Sequence, residues 1–257
     1  MTERPFILIT NDDGIHAPSL ALLARELRLF ADLVVIAPEH NWSASGHSKT
    51  MHKPLRVTPT TLVDGSKALA TSGSPSDCVA LALLGVVERR PDLVISGINQ
   101  GANVAQDLTY SGTVSAALEG MIGGIRAISA SLDSYTDPHF EVAAGFVARL
   151  ARELLSRKSQ ERLLLNVNVP ALPEEEIQGV QVTRLGRRIY RDALVERADP
   201  RGKSYYWIGG DPPDGVPEEG TDIGALAQGY ISVTPILLDL TDHKRLEWIA
   251  SWGLTLS

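Results

Sequence analysis

Short apolar runs alternate with amphipathic stretches over the first two-thirds of the chain, and this alternation restricts the fold more than any other feature. Phe6–Thr10 (Phe-Ile-Leu-Ile-Thr) and Asp32–Ala37 (Asp-Leu-Val-Val-Ile-Ala) are too short for helices and almost wholly apolar. One is closed by Asn-Asp-Asp-Gly and the other by Pro38, the marks of strands buried on both faces. Between them, Pro18 to Phe30 carries Leu20, Leu23, Leu27 and Phe30 at the spacing of an apolar helical stripe. The rhythm continues with an alternating segment at Leu55–Thr61 and a helix at Ser76–Val87, for which Ser76 is the expected N-cap. A strand at Asp92–Ser96, a helix at Thr113–Met121 and a strand at Ala127–Leu132 follow. The series ends with a long helix at His139–Leu155 and a strand at Leu163–Val169.

Strands alternating with helices across short loops predict an α/β fold of Rossmann-like kind, with a mostly parallel sheet and helices on both faces. Beyond about residue 180 the texture changes. Arg184–Arg201 is rich in arginine and aspartate, Lys203–Ile208 contains Tyr-Tyr-Trp, and Gly209–Gly220 is crowded with Gly, Pro and acidic residues. These segments predict β-hairpin arms and loops, followed by a strand at Ile231–Leu240 and a short terminal helix at Asp242–Trp252. The expected organisation is a single domain over 1–257, in which 1–180 form the catalytic core. Residues 181–257 then form a C-terminal β-hairpin and helix extension whose exposed aromatics suit oligomer contacts.

With 44% hydrophobic and 21% charged residues, the 257-residue chain has enough apolar material for a core without disulfides. A lone cysteine, Cys78, fits a reducing compartment. The opening Met-Thr-Glu-Arg-Pro shows no secretory pattern, and no apolar stretch reaches the roughly 20 residues of a membrane span, so the expected location is the cytoplasm. A formal charge of −7 argues against nucleic-acid duplexes as partners, yet leaves room for a small anion held by a metal and backbone amides.

In an open α/β sheet, ligands bind outside the carboxyl ends of the strands, so the residues that follow each strand carry the chemistry. After the first come Asn11, Asp12, Asp13 and Gly14. Adjacent carboxylates repel, and a hard divalent cation such as Mg²⁺ or Mn²⁺ would offset that repulsion, although the same four residues are ordinary turn formers. After the second strand comes a loop of hydroxyls and amides around Ser43. After the strand at Asp92 come Ser96-Gly97-Ile98-Asn99-Gln100-Gly101-Ala102-Asn103, where Asn99 offers a side-chain carbonyl near the edge that carries Asp12 and Asp13. Tyr110-Ser111-Gly112-Thr113 leads directly into a helix; small residues there make a phosphate cradle or, equally, a simple cap.

Other motifs are missing. Neither a Gly-x-Gly-x-x-Gly turn nor a Walker P-loop occurs, and Gly73-Ser74-Pro75-Ser76-Asp77 lacks the second glycine of a nucleophile elbow. Cys78 reads as core filler. His16, His40 and His47 fall near the expected site without metal-ligand spacing and read as loop residues.

Taken in order, these motifs resemble the SurE family, the survival-protein 5'-nucleotidases, and the resemblance spans nearly the whole chain. Ser74-Pro75-Ser76-Asp77-Cys78-Val79 is similar to that family's Thr-Pro-x-Asp-Cys-Val segment, and the run from Thr221-Asp222 to Thr234-Pro235 to its C-terminal signature. The resemblance implies a phosphoric monoester hydrolase acting on nucleoside 5'-monophosphates, with 3'-nucleotides and short polyphosphate as further substrates. It implies one divalent metal cation per subunit, held by Asp12, Asp13, Ser43 and Asn99. Asn103, Ser111, Gly112 and Thr113 would face the phosphate, and homodimers or homotetramers would form through exchanged C-terminal segments. In the expected mechanism a metal-activated water attacks phosphorus. Asp12, Asp13 and Asn103 are the catalytic residues, either aspartate taking the proton and Asn103 stabilising charge. A covalent aspartyl mechanism would need the two aspartates one residue apart, and here they are adjacent. A non-catalytic nucleotide sensor would not need the complete set of metal ligands. Two positions depart from the family pattern, Ser19 and Ala44, each standing where glycine is usual.

Overall fold

The computed structural model describes residues 4–136, 139–157 and 162–255; the leading Met-Thr-Glu that entered the reading of the N-terminus lies outside them. Its centre is a nine-stranded sheet. In chain order the strands are β1 (Phe6–Thr10), β2 (Asp32–Pro38), β3 (Val57–Thr61), β4 (Lys67–Thr71), β5 (Leu93–Gln100), β6 (Arg126–Asp133), β7 (Leu164–Pro170), β8 (Gly179–Val182) and, after a separate hairpin, β11 (Tyr230–Ile236). Across the sheet they run β3-β4-β2-β1-β5-β6-β7-β11-β8. The block from β4 through β7 is parallel throughout, while β3 and β11 run antiparallel to β4 and β7. The mostly parallel sheet expected from the alternation is present.

Helices cover both faces. On one, α1 (Pro18–Arg28) and α4 (Glu141–Ser156) bury Leu20, Leu23, Leu27, Ala143, Val147 and Ala151 against the sheet. On the other, α2 (Pro75–Leu81) and α3 (Gly112–Ile122) bury Cys78, Val79, Ala116, Ala117 and Met121. Stripping this apolar surface of water on both sides is the main drive for the fold.

Several expected boundaries shift for local reasons. Helix α2 is capped by Ser74, not Ser76. The Ser74 hydroxyl accepts from Asp77 N and the Asp77 carboxylate accepts from Ser74 N, a reciprocal box with Pro75 filling the first helical position. The helix then runs into a wide π-type turn, Ala82–Val86, broken by Gly85 at φ 110°. β11 stops at Ile236 because its partner β7 begins opposite it, at Leu164, leaving nothing for Leu237 to pair with. The expected terminal helix is reduced to a 3₁₀ turn, His243–Arg245, and one short helix, Leu246–Ala250. Strands β4 and β8 and a third short helix, α5 (Asp222–Ala227), add elements that the periodicity did not announce.

The arms are a two-stranded antiparallel hairpin, β9 (Arg188–Ala198) and β10 (Ser204–Gly215), that pairs with no strand of the main sheet. Its register slips between Asp211 and Asp214, where two prolines remove ladder donors.

Candidate active site

Because β1, β2 and β5 are parallel neighbours, the segments that follow them emerge at one edge of the sheet. The chain passes from β1 to β2 on one side and returns to β5 on the other, so the topology reverses at β1. Asn11, fully buried, folds the first of these segments back. Its amide donates to Gly14 O at 3.0 Å and accepts from Gly14 N at 3.2 Å, fixing the turn that presents Asp12 and Asp13.

Asp12 is 4% exposed and is held from the side of α3. The Thr113 hydroxyl donates to Asp12 Oδ1 at 2.5 Å, and the backbone amides of Gly112 and Thr113 also address the carboxylate. Gly112 is a condition of that arrangement: a Cβ there would lie 2.7 Å from Asp12 Cβ and 2.8 Å from Oδ2. Burial pushes the Asp12 carboxyl up, against the hydrogen bonds that favour its charge. Asp13 is pushed up to about 6, first by burial and then by the charge of Asp12 beside it.

A cavity of about 350 Å³ opens at this edge, within the roughly 300–1,000 Å³ usual for small-molecule sites. Asp12, Ser43, Asn99, Asn103 and Ser111 all line it. Asp13 opens on the adjoining cavity, with His16, Ser19 and Asn41, and Gln100 borders both. Gly112 and Thr113 are buried behind Asp12 and do not line either.

The neutral groups around Asp12 each have a hydrogen-bond donor already engaged. Ser43 Oγ donates to Asn41 Oδ1 at 2.6 Å, and Asn99 Nδ2 donates to Gly101 O at 2.8 Å. The Ser43 hydroxyl oxygen and the Asn99 side-chain carbonyl keep lone pairs for a cation. Two carboxylates that resist ionisation together and two such oxygens form the hard donor set that suits Mg²⁺ or Mn²⁺. Among the described residues no three His, Cys, Asp or Glu side chains gather as a metal site, so neutral oxygens would have to complete the shell.

Asn103 is fixed more firmly still. Its N–H donates to Asn168 Oδ1 and its side-chain amide to Ser131 Oγ, both at 2.8 Å, while its carbonyl accepts from the amides of Asn166 and Asn168. One N–H of the Asn103 amide remains for a ligand. Ser111 caps α3, its hydroxyl accepting from Val114 N at 3.1 Å.

His47 does not approach the aspartates; it contacts Glu119 Oε2 at 3.1 Å on α3. Cys78 is buried, its thiol pushed up by desolvation and so kept from the thiolate form. The side chains that sequence reasoning missed are Asp107, Tyr110, Tyr135 and Tyr190, all on the cavity wall. Tyr190 comes from the hairpin arm, and its hydroxyl donates to Asp107.

A cavity with a polar floor and a set of hard oxygen donors, at the reversal point of a parallel sheet, is where open α/β enzymes bind small ligands. Comparison with known proteins narrows the class. The family description "Survival protein SurE" matches residues 7–192, and the chain belongs to the SurE family. The 5'-nucleotidase SurE of Herpetosiphon aurantiacus is 52% identical over 245 residues, covering 95% of each chain. That of Chloroflexus aggregans is 49% identical over 249 residues, covering 96% of this chain and 98% of the relative. The crystal structure of the SurE protein from Aquifex aeolicus superposes with a TM-score of 0.82 at 39% identity, over 97% of this chain and all of that one.

Proposed function

We propose that the protein is a divalent-metal-dependent phosphomonoesterase acting on nucleoside 5'-monophosphates. The observation that carries the reading is the meeting of Asp12, Ser43, Asn99 and Asn103 in one cavity, with a donor of Ser43 and of Asn99 engaged elsewhere and one Asn103 N–H left over. The naming of relatives up to 52% identical as 5'-nucleotidases supports the substrate class.

Asp12, Asp13, Ser43 and Asn99 would hold one Mg²⁺ or Mn²⁺. When bound, it supplies Lewis-acid charge for the phosphoryl group and acidifies water. The chain's own residues do the rest. Thr113 and the amides of Gly112 and Thr113 orient Asp12 and favour its charged form against the cost of burial. Asn103 presents an N–H on a framework of four hydrogen bonds, so it can meet charge on a phosphoryl oxygen without reorganising. Ser111 and the start of α3 bring the positive end of a helix to the same floor. Hydrolysis of 3'-nucleotides and short polyphosphate belongs to the same proposal, since the floor recognises phosphoryl oxygens. Residues 1–257 act as one unit, β8 and β11 completing the sheet, in a homodimer or homotetramer. The proposed compartment is the cytoplasm, which suits an isolated buried thiol.

Phosphate release from AMP with Mn²⁺ tests the assignment. Asp13→Ala is expected to lose Mn²⁺ binding in equilibrium dialysis and to lower turnover by more than about a hundredfold. Wild-type turnover in that variant would refute the site.

A further inference from the structure

The cavity has two chemically different ends. Its floor is polar, built from Asp12, Asn99, Asn103 and Ser111, whereas its rim carries three tyrosines, Tyr110, Tyr135 and Tyr190. These residues are 61%, 69% and 40% exposed, so all three present surface at the mouth of the cavity. Among the described residues none of them stacks on another aromatic ring, since the one such pair is Trp248 with Trp252.

The three residues are nevertheless anchored. Tyr110 closes the 3₁₀ turn Ala105–Thr109, its N–H donating to Asp107 O at 2.9 Å. Tyr135 is seated over Gly101, where a Cβ would come within 2.3 Å of its ring, and its carbonyl accepts from Gln100 Nε2 at 2.6 Å. Tyr190 belongs to the hairpin, yet its hydroxyl donates to Asp107 in that same turn. Arg188 Nε lies 3.1 Å from the other Asp107 oxygen, in an ion pair without hydrogen-bond alignment. Gln106 exchanges two hydrogen bonds with the Arg188 backbone, at 2.8 and 3.1 Å. One short turn therefore sets two of the three rings and anchors the root of the arm.

We propose that this rim is a nucleobase subsite, with Tyr190 as a specificity-determining residue and Asp107 as the residue that positions it. The proposal rests on the phosphomonoesterase reading and adds to it what recognises the far end of the substrate. Asp107 accepts from Tyr190 through one oxygen and pairs with Arg188 through the other, so it acts by positioning that ring. Phenol rings offer flat π-faces and no hydrogen-bond code, and every base has a π-face to stack on them. The subsite therefore favours nucleotides as a class over sugar phosphates that lack a base, with little choice among bases.

The experiment compares kcat/KM for AMP and for ribose 5-phosphate in the Mn²⁺-loaded full-length protein. Wild type is expected to favour AMP. In Tyr190→Ala the AMP to ribose 5-phosphate ratio falls on the order of tenfold, through KM for AMP and not through kcat. Tyr190→Phe keeps the ring but loses its hydrogen bond to Asp107, and so lowers the ratio part of the way, as Asp107→Ala does. Adenosine is expected to inhibit ribose 5-phosphate turnover competitively in wild type, and about tenfold more weakly in Tyr190→Ala. An unchanged ratio in Tyr190→Ala, or an equal loss on both substrates, overturns the subsite. Equal wild-type efficiency on the two substrates does the same while leaving the phosphatase intact. Wild type that hydrolyses neither substrate removes the phosphatase reading and the subsite with it.

Discussion

At Gly112 the backbone of α3 passes so close to Asp12 that no side chain fits between them. Asp12 cannot retreat, since it is buried and bound to Thr113 at 2.5 Å. Gly112→Ala is therefore expected to cost about 1–3 kcal/mol, as overpacking does, and to displace the carboxylate. A fall in Tm together with a larger fall in AMP turnover would show both; normal activity would mean that Asp12 has freedom the contacts deny. Ala44 predicts the opposite sign. It lies beside Ser43 at φ 55°, in the left-handed region, which costs a residue with a Cβ about 1–2 kcal/mol. Ala44→Gly relieves that cost against a smaller entropic penalty, so Tm should rise by the equivalent of about 0.5–1 kcal/mol. A lower Tm would sink the argument. Asp12, Asp13, Ser43, Asn99 and Asn103 were legible as candidates because each lies at or beyond the carboxyl end of a parallel strand, where topology alone delivers it to one edge. Tyr190 and Asp107 were not. They stand 83 residues apart, and no local pattern reports a contact made by folding an arm back over a turn.

At the scale of elements, the segment between β2 and β3 that carries Ser43 has little regular structure, and side-chain latches hold it in place. His47 and Lys49 reach Glu119 on α3, at 3.1 and 2.6 Å, while Ser48 O and Thr50 N bond to Ser74 and Asp77 at the start of α2. The hydrogen bond from His47, with help from Lys49, holds the Glu119 carboxyl below its ordinary 4.5 despite burial. A carboxylate depressed by folding adds stability that is fully present above its unfolded value and lost as pH falls through its folded one. Glu119→Gln should therefore cost about 1–2 kcal/mol near neutrality, an allowance reduced for the half-exposed Lys49, and the gap from wild type should close as pH falls below the carboxyl's ordinary 4.5. Urea unfolding at several pH values measures it; a gap that persists in acid would mean that packing and not charge holds the latch. The long elements were legible because apolar periodicity runs over ten or more residues, as in α1 and α4, with Pro18 opening the first. β4 and β8 escaped notice because Lys-Ala-Leu-Ala-Thr and Gly-Val-Gln-Val are weak strand formers on their own, recruited by neighbours already in the sheet. Helix α5 has six residues and stands on Thr221, whose hydroxyl accepts from Gly224 N.

For the molecule as a whole, the apolar surface left uncovered is concentrated beyond the main sheet. On the hairpin, Leu194, Trp207 and Ile208 are 70%, 64% and 84% exposed; on the terminal segment, Leu240 is 95% and Trp248 58% exposed. Among the described residues no helix is long and apolar enough to cross a membrane, so a bilayer-spanning helix does not account for this surface. Trp248 and Trp252 meet edge to face at 4.9 Å and still expose more than half of each ring, an arrangement that leaves area for a further partner. Large apolar side chains contribute about 1.5–3 kcal/mol each when covered, and a self-complementary contact covers each of them twice in a dimer. Assembly of copies through the arm and tail is therefore expected, with sedimentation equilibrium giving an integer multiple of the protomer mass. The double substitution Trp207→Glu and Ile208→Glu should shift the distribution toward protomers without loss of helical circular dichroism, because neither side chain is packed within its own chain. A wild-type protein that sediments as a monomer at every concentration would end that expectation. So would a double variant that assembles as well as wild type, since the hairpin face would then have no part in the contact. Arg188 and Tyr190 root the hairpin in the cavity wall, so separation of the copies should also raise KM for AMP in that variant, by loosening the rim while the polar floor stays in place.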